Sequence, residues 1–377
     1  MIKLRGITWD HPRGYQPLAA SEKPYEELTG IQITWEVRSL REFGDTPIDK
    51  LAETFDLLIV DHPHVGLAHA TGCLVPLDEH IVPDILDALA EQSAGPSHQS
   101  YFYEGHQWVL ANDAAMQAGA YRADLMNGPF PNTWDEVIAL GQRLKGSGRW
   151  IGVPLVPTDC ICCFLSLCAS LGDPPGSGDE LLTDDAVGRH ALELITAFAE
   201  VGHPDSLSWN PIKMLDHMSS ADDLVYCPLT FTYTNYSRDG YAPKRVNFTN
   251  VPGVRGSILG GAGYSISSKC QHIKQAVDYG VWLCSADIQR TLYVEEGGQP
   301  GNAVAWHDDY ANEITHNFFR DTWDTLNQAY VRPRHNGYHV FQEQSGHVIH
   351  NMLRDGSSIE DCLTKLKTLY VESKRSS

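Results

Sequence analysis

The tripeptide Asp-His-Pro occurs twice near the start of the chain, as Asp10-His11-Pro12 and Asp61-His62-Pro63, and each copy ends a predicted strand. Carboxylates accept hydrogen bonds and imidazoles donate or accept them, which is what hydroxyl groups require. Each proline stops a strand ladder and holds the residue before it extended. The repeat therefore reads as a cradle for a polar ligand, with Trp9, Asp10 and His11 from one copy and Asp61, His62 and His64 from the other. Two other readings compete. Asp and Pro commonly open turns, and His11, His62 and His64 could ligate a metal, although no strict motif such as H-E-x-x-H is present. Asp10, His11, Asp61, His62 and Asp113 are also the residue types that acid–base catalysis would use.

Aromatic residues extend the candidate set. The run Phe231-Thr232-Tyr233-Thr234-Asn235-Tyr236 alternates aromatic and polar groups directly after a predicted strand. Tyr233 and Tyr236, with Trp9 and Trp306, could present ring faces to the C–H faces of a sugar or to a cation. Gly260-Gly261-Ala262-Gly263 lacks the Lys-Ser/Thr of a P-loop and the spacing of a dinucleotide fingerprint. Gly261 and Gly263 instead read as positions where backbone approaches a ligand or flexes. Cys160 and Cys163 form a C-x-x-C at a predicted helix start, but no partner pair follows. The core-like neighbours Phe164, Leu165 and Leu167 make inert buried thiols the better reading. No cofactor motif is present and no cofactor is expected.

These residues need elements to hold them. The first 60 residues read as strand, helix, strand, helix, strand, with strands at 3–9, 31–37 and 55–60 and helices at 17–30 and 47–53. Short connections of this kind mean parallel strands with crossover helices, an α/β fold whose ligands sit at the carboxyl ends of strands. A strand over 108–120 follows, then a helix opened by Thr133 as N-cap with Glu136 as capping-box partner. Beyond it come a short strand at 151–157, a buried apolar helix at 160–171, a helix at 185–201 and a strand at 224–229. Helices at 273–285, 314–329, 340–353 and 358–372 complete the chain. A length of 377 residues suggests two domains. With no flexible linker between them, the chain must cross from one lobe to the other more than once.

The formal charge is −20, from 28 Lys and Arg against 48 Asp and Glu. Nucleic acid is thereby excluded as a partner, as are anionic membrane surfaces. No run of apolar residues is long enough to span a membrane. No secretory leader precedes the first strand, and nine cysteines, an odd number, do not form a disulfide framework. A cytoplasmic location follows for the sequence as it stands, and the periplasm or cell surface if a leader was removed.

Three segments carry a family resemblance. They are Trp108-Val109-Leu110-Ala111-Asn112-Asp113, Tyr121-Arg122-Ala123-Asp124-Leu125 and Pro131-Asn132-Thr133-Trp134-Asp135-Glu136. In this order they resemble the extracellular solute-binding proteins of family 1, the sugar-binding components of ABC importers. The glycine segment through Ser267 and the segment Gly297-Gly298-Gln299-Pro300-Gly301 extend the likeness. The resemblance implies a two-lobed, periplasmic-binding-protein-like fold with the ligand cleft between lobes joined by crossover hinge segments. One lobe would hold residues 1–112 and about 260–312, the other 113–259 and about 313–377. It points to Trp9, Asp10, His11, Asp61 to His64, Asp113, Tyr233 and Gly261 as ligand contacts. It further implies a monomer that delivers a small polar solute to an ABC permease. Several acids in the presumed cleft disfavour an anion, though Arg13, Arg332 or Arg334 could reverse this. A neutral sugar or polyol fits best, and a quaternary amine held by aromatics and Asp comes next. The alternative class is a cytoplasmic isomerase or lyase on the same scaffold, since folds host many functions.

Overall fold

The computed structural model describes residues 1–39, 47–176, 182–253 and 256–375. Ten strands are present among them: β1 (Lys3–Trp9), β2 (Gln32–Arg38), β3 (Leu57–Val60), β4 (Phe102–Tyr103), β5 (His106–Gln107), β6 (Leu110–Tyr121), β7 (Trp150–Ile151), β8 (Leu224–Phe231), β9 (Asn247–Thr249) and β10 (Leu259–Ile266). Hydrogen bonding orders the main sheet β2-β1-β3-β10-β6-β8-β7, with β9 also on β6 and β4-β5 as a separate hairpin. The pairs β1–β2 and β1–β3 are parallel, as the opening strand–helix alternation requires. β10 is antiparallel to both β3 and β6.

β6 joins the two halves of the molecule. Its first part, Leu110 to Met116, pairs with β10, and its last part, Gln117 to Tyr121, pairs with β8 and β9. Ala, Gly and Asn dominate its sequence, and all of its residues but Ala111 and Tyr121 are buried. Small side chains let this strand be covered closely on both faces. The chain at Tyr330 runs beside the entry into β10, with a parallel bridge between Ile258 and Tyr330.

Each half of the sheet carries helices on both faces. Residues alternate along a strand, so opposite faces collect different side chains. In the first half, Leu4, Trp35, Ile59, Tyr264 and Tyr279 fill one side, and Ile7, Leu58, Val60 and Trp108 fill the other. In the second half, the helices Pro157–Ser170, Asp185–Val201, Tyr338–Asp355 and Ile359–Arg375 form one packed layer. Trp209, Met214, Phe248, Trp306 and Phe318 form the layer opposite. Among the described residues no helix is long and apolar enough to cross a membrane.

Both Asp-His-Pro segments end strands, and both also start helices. The helix expected at 17–30 begins at Pro12, because His11 Nδ1 accepts the Arg13 N–H at 3.0 Å as N-cap. Pro12 at the first helical position costs no hydrogen bond there. In the second copy Asp61 accepts the His62 N–H at 2.8 Å and opens a turn that runs into the helix Val65–Thr71. The strand expected at 151–157 is confined to Trp150–Ile151, because Pro157 already opens the buried helix. Thr133 caps its helix as expected, at 3.2 Å from the Glu136 N–H, while the Glu136 carboxylate reaches back to the Asn132 N–H at 2.6 Å.

Candidate functional site

A cavity of about 480 Å³ opens where the carboxyl ends of β1, β3 and β8 face the starts of the helices Pro157–Ser170 and Tyr338–Asp355. Trp9, at the end of β1, gives it an indole wall. The helix begun at Pro12 passes tightly over that indole; a Cβ on Gly14 would lie 2.2 Å from the ring. Phe231 and Tyr233 line it from β8 and its following loop, and Asp61, Pro63 and His64 from the segment after β3. β10 supplies Gly260, Gly261 and Ala262. Gly261 has φ +97°, and a Cβ there would stand 2.5 Å from the Asp113 carbonyl oxygen. Glycine is therefore required where β10 and β6 approach most closely.

Two buried arginines organise the polar side. Arg13 donates to both carboxylate oxygens of Asp113, Nε to Oδ2 at 2.9 Å and Nη2 to Oδ1 at 2.5 Å, and from Nη1 to the Thr232 carbonyl at 2.7 Å. Its guanidinium also lies 4.9 Å from the Tyr233 ring centre and 5.9 Å from that of Trp9. Arg13 thus ties the first helix to the crossing strand β6 and to the loop after β8. Arg332 donates from Nη2 to Asp61 at 2.8 and 2.7 Å and from Nη1 to Gln342 at 2.9 Å. This second pair connects the segment after β3 to the helix Tyr338–Asp355. Burial alone would raise the Asp61 carboxyl, but the Arg332 cation, then His62, hold it well below the usual carboxylate range. The Nε of Arg332 is buried with no hydrogen-bond partner among the described residues.

The three histidines of the sequence repeat are kept neutral. Burial, then the Arg13 charge, brings His11 down to about 3. Burial, then Arg332, brings His62 down to about 4, although Asp61 opposes this. His64 lies at about 3, from burial and then from His339, whose ring centre is 5.0 Å away.

Asp159 is a site residue that sequence reading missed, as are Asn210, His339, Gln342 and His347. It sits in the first turn of the helix Pro157–Ser170, lines the cavity and is 4% exposed. Its carboxylate makes no hydrogen bond or ion pair to any described residue, and burial alone pushes it up to about 8. The available signal was an acid in the first turn of an otherwise uncharged helix. The cysteines beside it drew the eye instead, and burial raises the thiols of Cys160, Cys162 and Cys163. All nine cysteines are free and buried.

Of the residues expected from sequence, Trp9, Asp61, His64, Tyr233 and Gly261 line the cavity. His11, His62 and Asp113 stand one layer behind. His11 packs on Tyr233 with ring centres 4.6 Å apart, His62 contacts Asp61 at 3.2 Å, and Asp113 holds Arg13. Four lie away from the cavity. Asp10 is exposed and contributes its backbone N–H to the Arg38 carbonyl at 2.7 Å. Tyr236 donates its hydroxyl to Asp216 at 2.6 Å inside the second half. Gly263 packs against Val109, which a Cβ would meet at 2.3 Å. Trp306 is fully buried against Phe318, Phe319 and Trp323 and bonds the Pro300 carbonyl at 2.7 Å. Packing or a hydrogen bond holds Tyr236, Gly263 and Trp306 away from the cavity, and Asp10 faces solvent.

The alternative metal set His11, His62 and His64 is not assembled either. Among the described residues, the three-residue group with converging ligand atoms is His203, His217 and Asp223. There the Asp205 N–H donates to His203 Nδ1 at 3.1 Å, which leaves the ring proton on Nε2, facing Asp223 at 3.4 Å. A metal-bound histidine donates from its second nitrogen. This one accepts, so the group reads as a hydrogen-bonded strut stacked on Trp209.

A two-lobed α/β chain with a cleft between its halves has the architecture of the solute-binding proteins of ABC transporters, and comparison of folds agrees. The chain is similar over 99% of its length to all of an ABC transporter solute-binding protein from Thermotoga lettingae bound to α-D-tagatose, with a TM-score of 0.85 and 16% identity. It is also similar to maltose-bound MalE3 of T. maritima, with a TM-score of 0.82 and 17% identity over 98% of each chain. For an Agrobacterium vitis solute-binding protein with bound D-mannitol the TM-score is 0.78 at 15% identity, over 100% of this chain and 98% of that one. At these identities the likeness establishes the fold. A probable amino-acid ABC transporter periplasmic-binding protein of Sinorhizobium fredii is 25% identical over 187 residues, 47% of this chain and 42% of the relative. The match thus spans less than half of that relative's length. No family model matches the chain.

Proposed function

We propose that this chain is the solute-binding component of an ABC-type importer and closes around one small polar solute, a carbohydrate or polyol. The cavity carries the reading. Its volume of about 480 Å³ suits a small solute, and it combines an indole wall, two further aromatic rings and a few convergent polar groups. The Asp159 carboxyl complements hydroxyl groups, and Trp9 and Tyr233 suit the C–H face of a sugar. Neighbours of the same fold that hold tagatose, mannitol or maltose support this class of ligand.

The lobes of the proposal are residues 1–112 with about 260–312, and 113–259 with about 313–377. β6, the entry into β10 and the segment at Tyr330 would be the crossing strands about which they close. A permease would be the partner of the closed monomer. Binding is favoured over acid–base chemistry because Asp61 and Asp113 are each committed to an arginine and the repeat histidines are held neutral. The test is a thermal-shift panel of sugars, polyols, sugar acids and amines on chelator-treated protein. A solute at about 1,000 times its Kd adds about 4 kcal/mol. A shift by one polar solute that is recovered unchanged supports the proposal. Conversion of the solute, or no shift by any sugar or polyol, neutral or amino-substituted, overturns it.

A further inference from the structure

We infer, resting on the solute-binding reading, that the solute carries a protonated nitrogen placed against Asp159: an amino sugar or amino polyol rather than a neutral one. Asp159 lines the cavity, is 4% exposed, and has neither a hydrogen-bond partner nor a counter-charge among the described residues. Thr158, Asn210 and Tyr233 line the same cavity, yet no hydrogen bond joins any of them to the Asp159 carboxylate. A buried acid left in this state is costly unless something arrives to satisfy it.

The charges around it are already matched. Among the described residues lining the cavity, the guanidiniums are those of Arg13 and Arg332. Arg13 is held in a bidentate pair by Asp113, and Arg332 by Asp61. His64 is neutral at pH 7. With the guanidiniums already paired, the remaining acids of the lining are Glu343 at its exposed edge and Asp159, which has no cation beside it to compensate a carboxylate. A hydroxyl would share one hydrogen bond with the protonated acid, and any carboxylate charge would stay uncompensated. An ammonium supplies up to three donors and cancels the charge in a low-dielectric setting, where such pairing is strongest. Trp9 and Tyr233 are compatible with a cation as well as with a sugar face.

This assignment has a proton signature. In the free protein Asp159 holds its proton to about pH 8. An incoming ammonium favours the carboxylate, so binding at pH 7 releases close to one proton. The other groups facing the cavity are Arg13, Asp61, Arg332, His64, His339, Glu343, His347 and Tyr233. Asp61 is ionised at pH 7, and His64 and the Tyr233 phenol are neutral there, so they need not change state.

Isothermal titration with matched pairs tests the assignment: D-glucose with D-glucosamine, D-galactose with D-galactosamine, and D-mannitol with 1-amino-1-deoxy-D-mannitol. Titrations run at pH 7 in buffers of different ionisation enthalpy. The amino member of the recognised pair is expected to bind at least about tenfold tighter than its neutral twin, releasing about one proton. Asp159→Asn should erase both the preference and the release while the far-UV spectrum stays unchanged. A neutral twin that binds equally or better, or amine binding without proton release in the wild type, overturns the assignment and leaves the solute-binding reading intact. Silence from every member of every pair removes both.

Discussion

Replacing Asp159 by Asn should change the pH dependence of folding in a narrow, calculable window. Burial pushes the folded carboxyl up to about 8, while the unfolded one titrates near 4. Between these values the folded state binds a proton that the unfolded state has lost. Stability therefore falls as pH rises, by about 1.4 kcal/mol per pH unit. Up to about pH 7.5 the neutral His11, His62, His64, His98 and His335 impose the opposite slope, since their unfolded forms are still partly protonated there and their folded forms are not. Above about 8.5 the buried thiols begin to contribute, with the same sign as Asp159. The difference between wild type and Asp159→Asn cancels these contributions, so from about pH 6.5 to 8 the wild type should lose about 1.5–2 kcal/mol relative to the variant. With the side chain only 4% exposed, little solvent screening reduces this figure. The assay is urea unfolding of the ligand-free protein at both ends of the window, followed by tryptophan fluorescence and extrapolated linearly. Asp159→Asn should lack this loss, keep only the rising histidine contribution, and be more stable than wild type at the upper end of the interval. A variant that keeps the wild-type slope would refute the reasoning, because another group would then be the one that titrates.

Three further outcomes are expected. Asp113→Asn leaves the Arg13 guanidinium buried without its counter-charge and should cost about 3–5 kcal/mol in urea unfolding; a loss within error would mean that water already screens the pair. Trp9→Ala should weaken solute affinity in titration calorimetry, whereas Trp306→Ala should cost about 3–5 kcal/mol of stability and leave the affinity of the folded protein unchanged; equal affinity losses would return Trp306 to the site. Gly261→Ala forces a side chain into φ +97° and a 2.5 Å contact with Asp113, so thermal unfolding should reveal a destabilisation of at least about 1–3 kcal/mol; a neutral result would mean that β10 can move away from β6.

Local pattern and chain punctuation were enough to read most of the elements. The β–α–β–α–β opening, the Thr133 cap, the uncharged helix after Pro157 and the long strand before Tyr121 are all encoded by residues within a few positions of one another. The repeat Asp-His-Pro located two of the strand ends that meet at the cavity, because a strand followed by a proline must stop at the sheet edge where ligands bind. Its second role, as helix start, was not legible. A histidine cap depends on which ring nitrogen faces the Arg13 N–H, and that is set by packing on Tyr233.

The partnerships that make the site came only with the tertiary structure. Arg13 and Asp113 are 100 residues apart in sequence, and Asp61 and Arg332 are 271 apart. No periodicity links such positions, so sequence alone could not tell a paired acid from an unpaired one. The same limit separated the tryptophans: Trp9 and Trp306 both flank loops, but one walls the cavity and the other is enclosed by Phe318, Phe319 and Trp323. The sequence by itself determined the class of fold and the strongly negative net charge, because helix and strand signals are local and net charge is a sum. Only the tertiary structure decided which acids are neutralised and which one, Asp159, is left open to the cleft, because burial and pairing belong to contacts between distant segments.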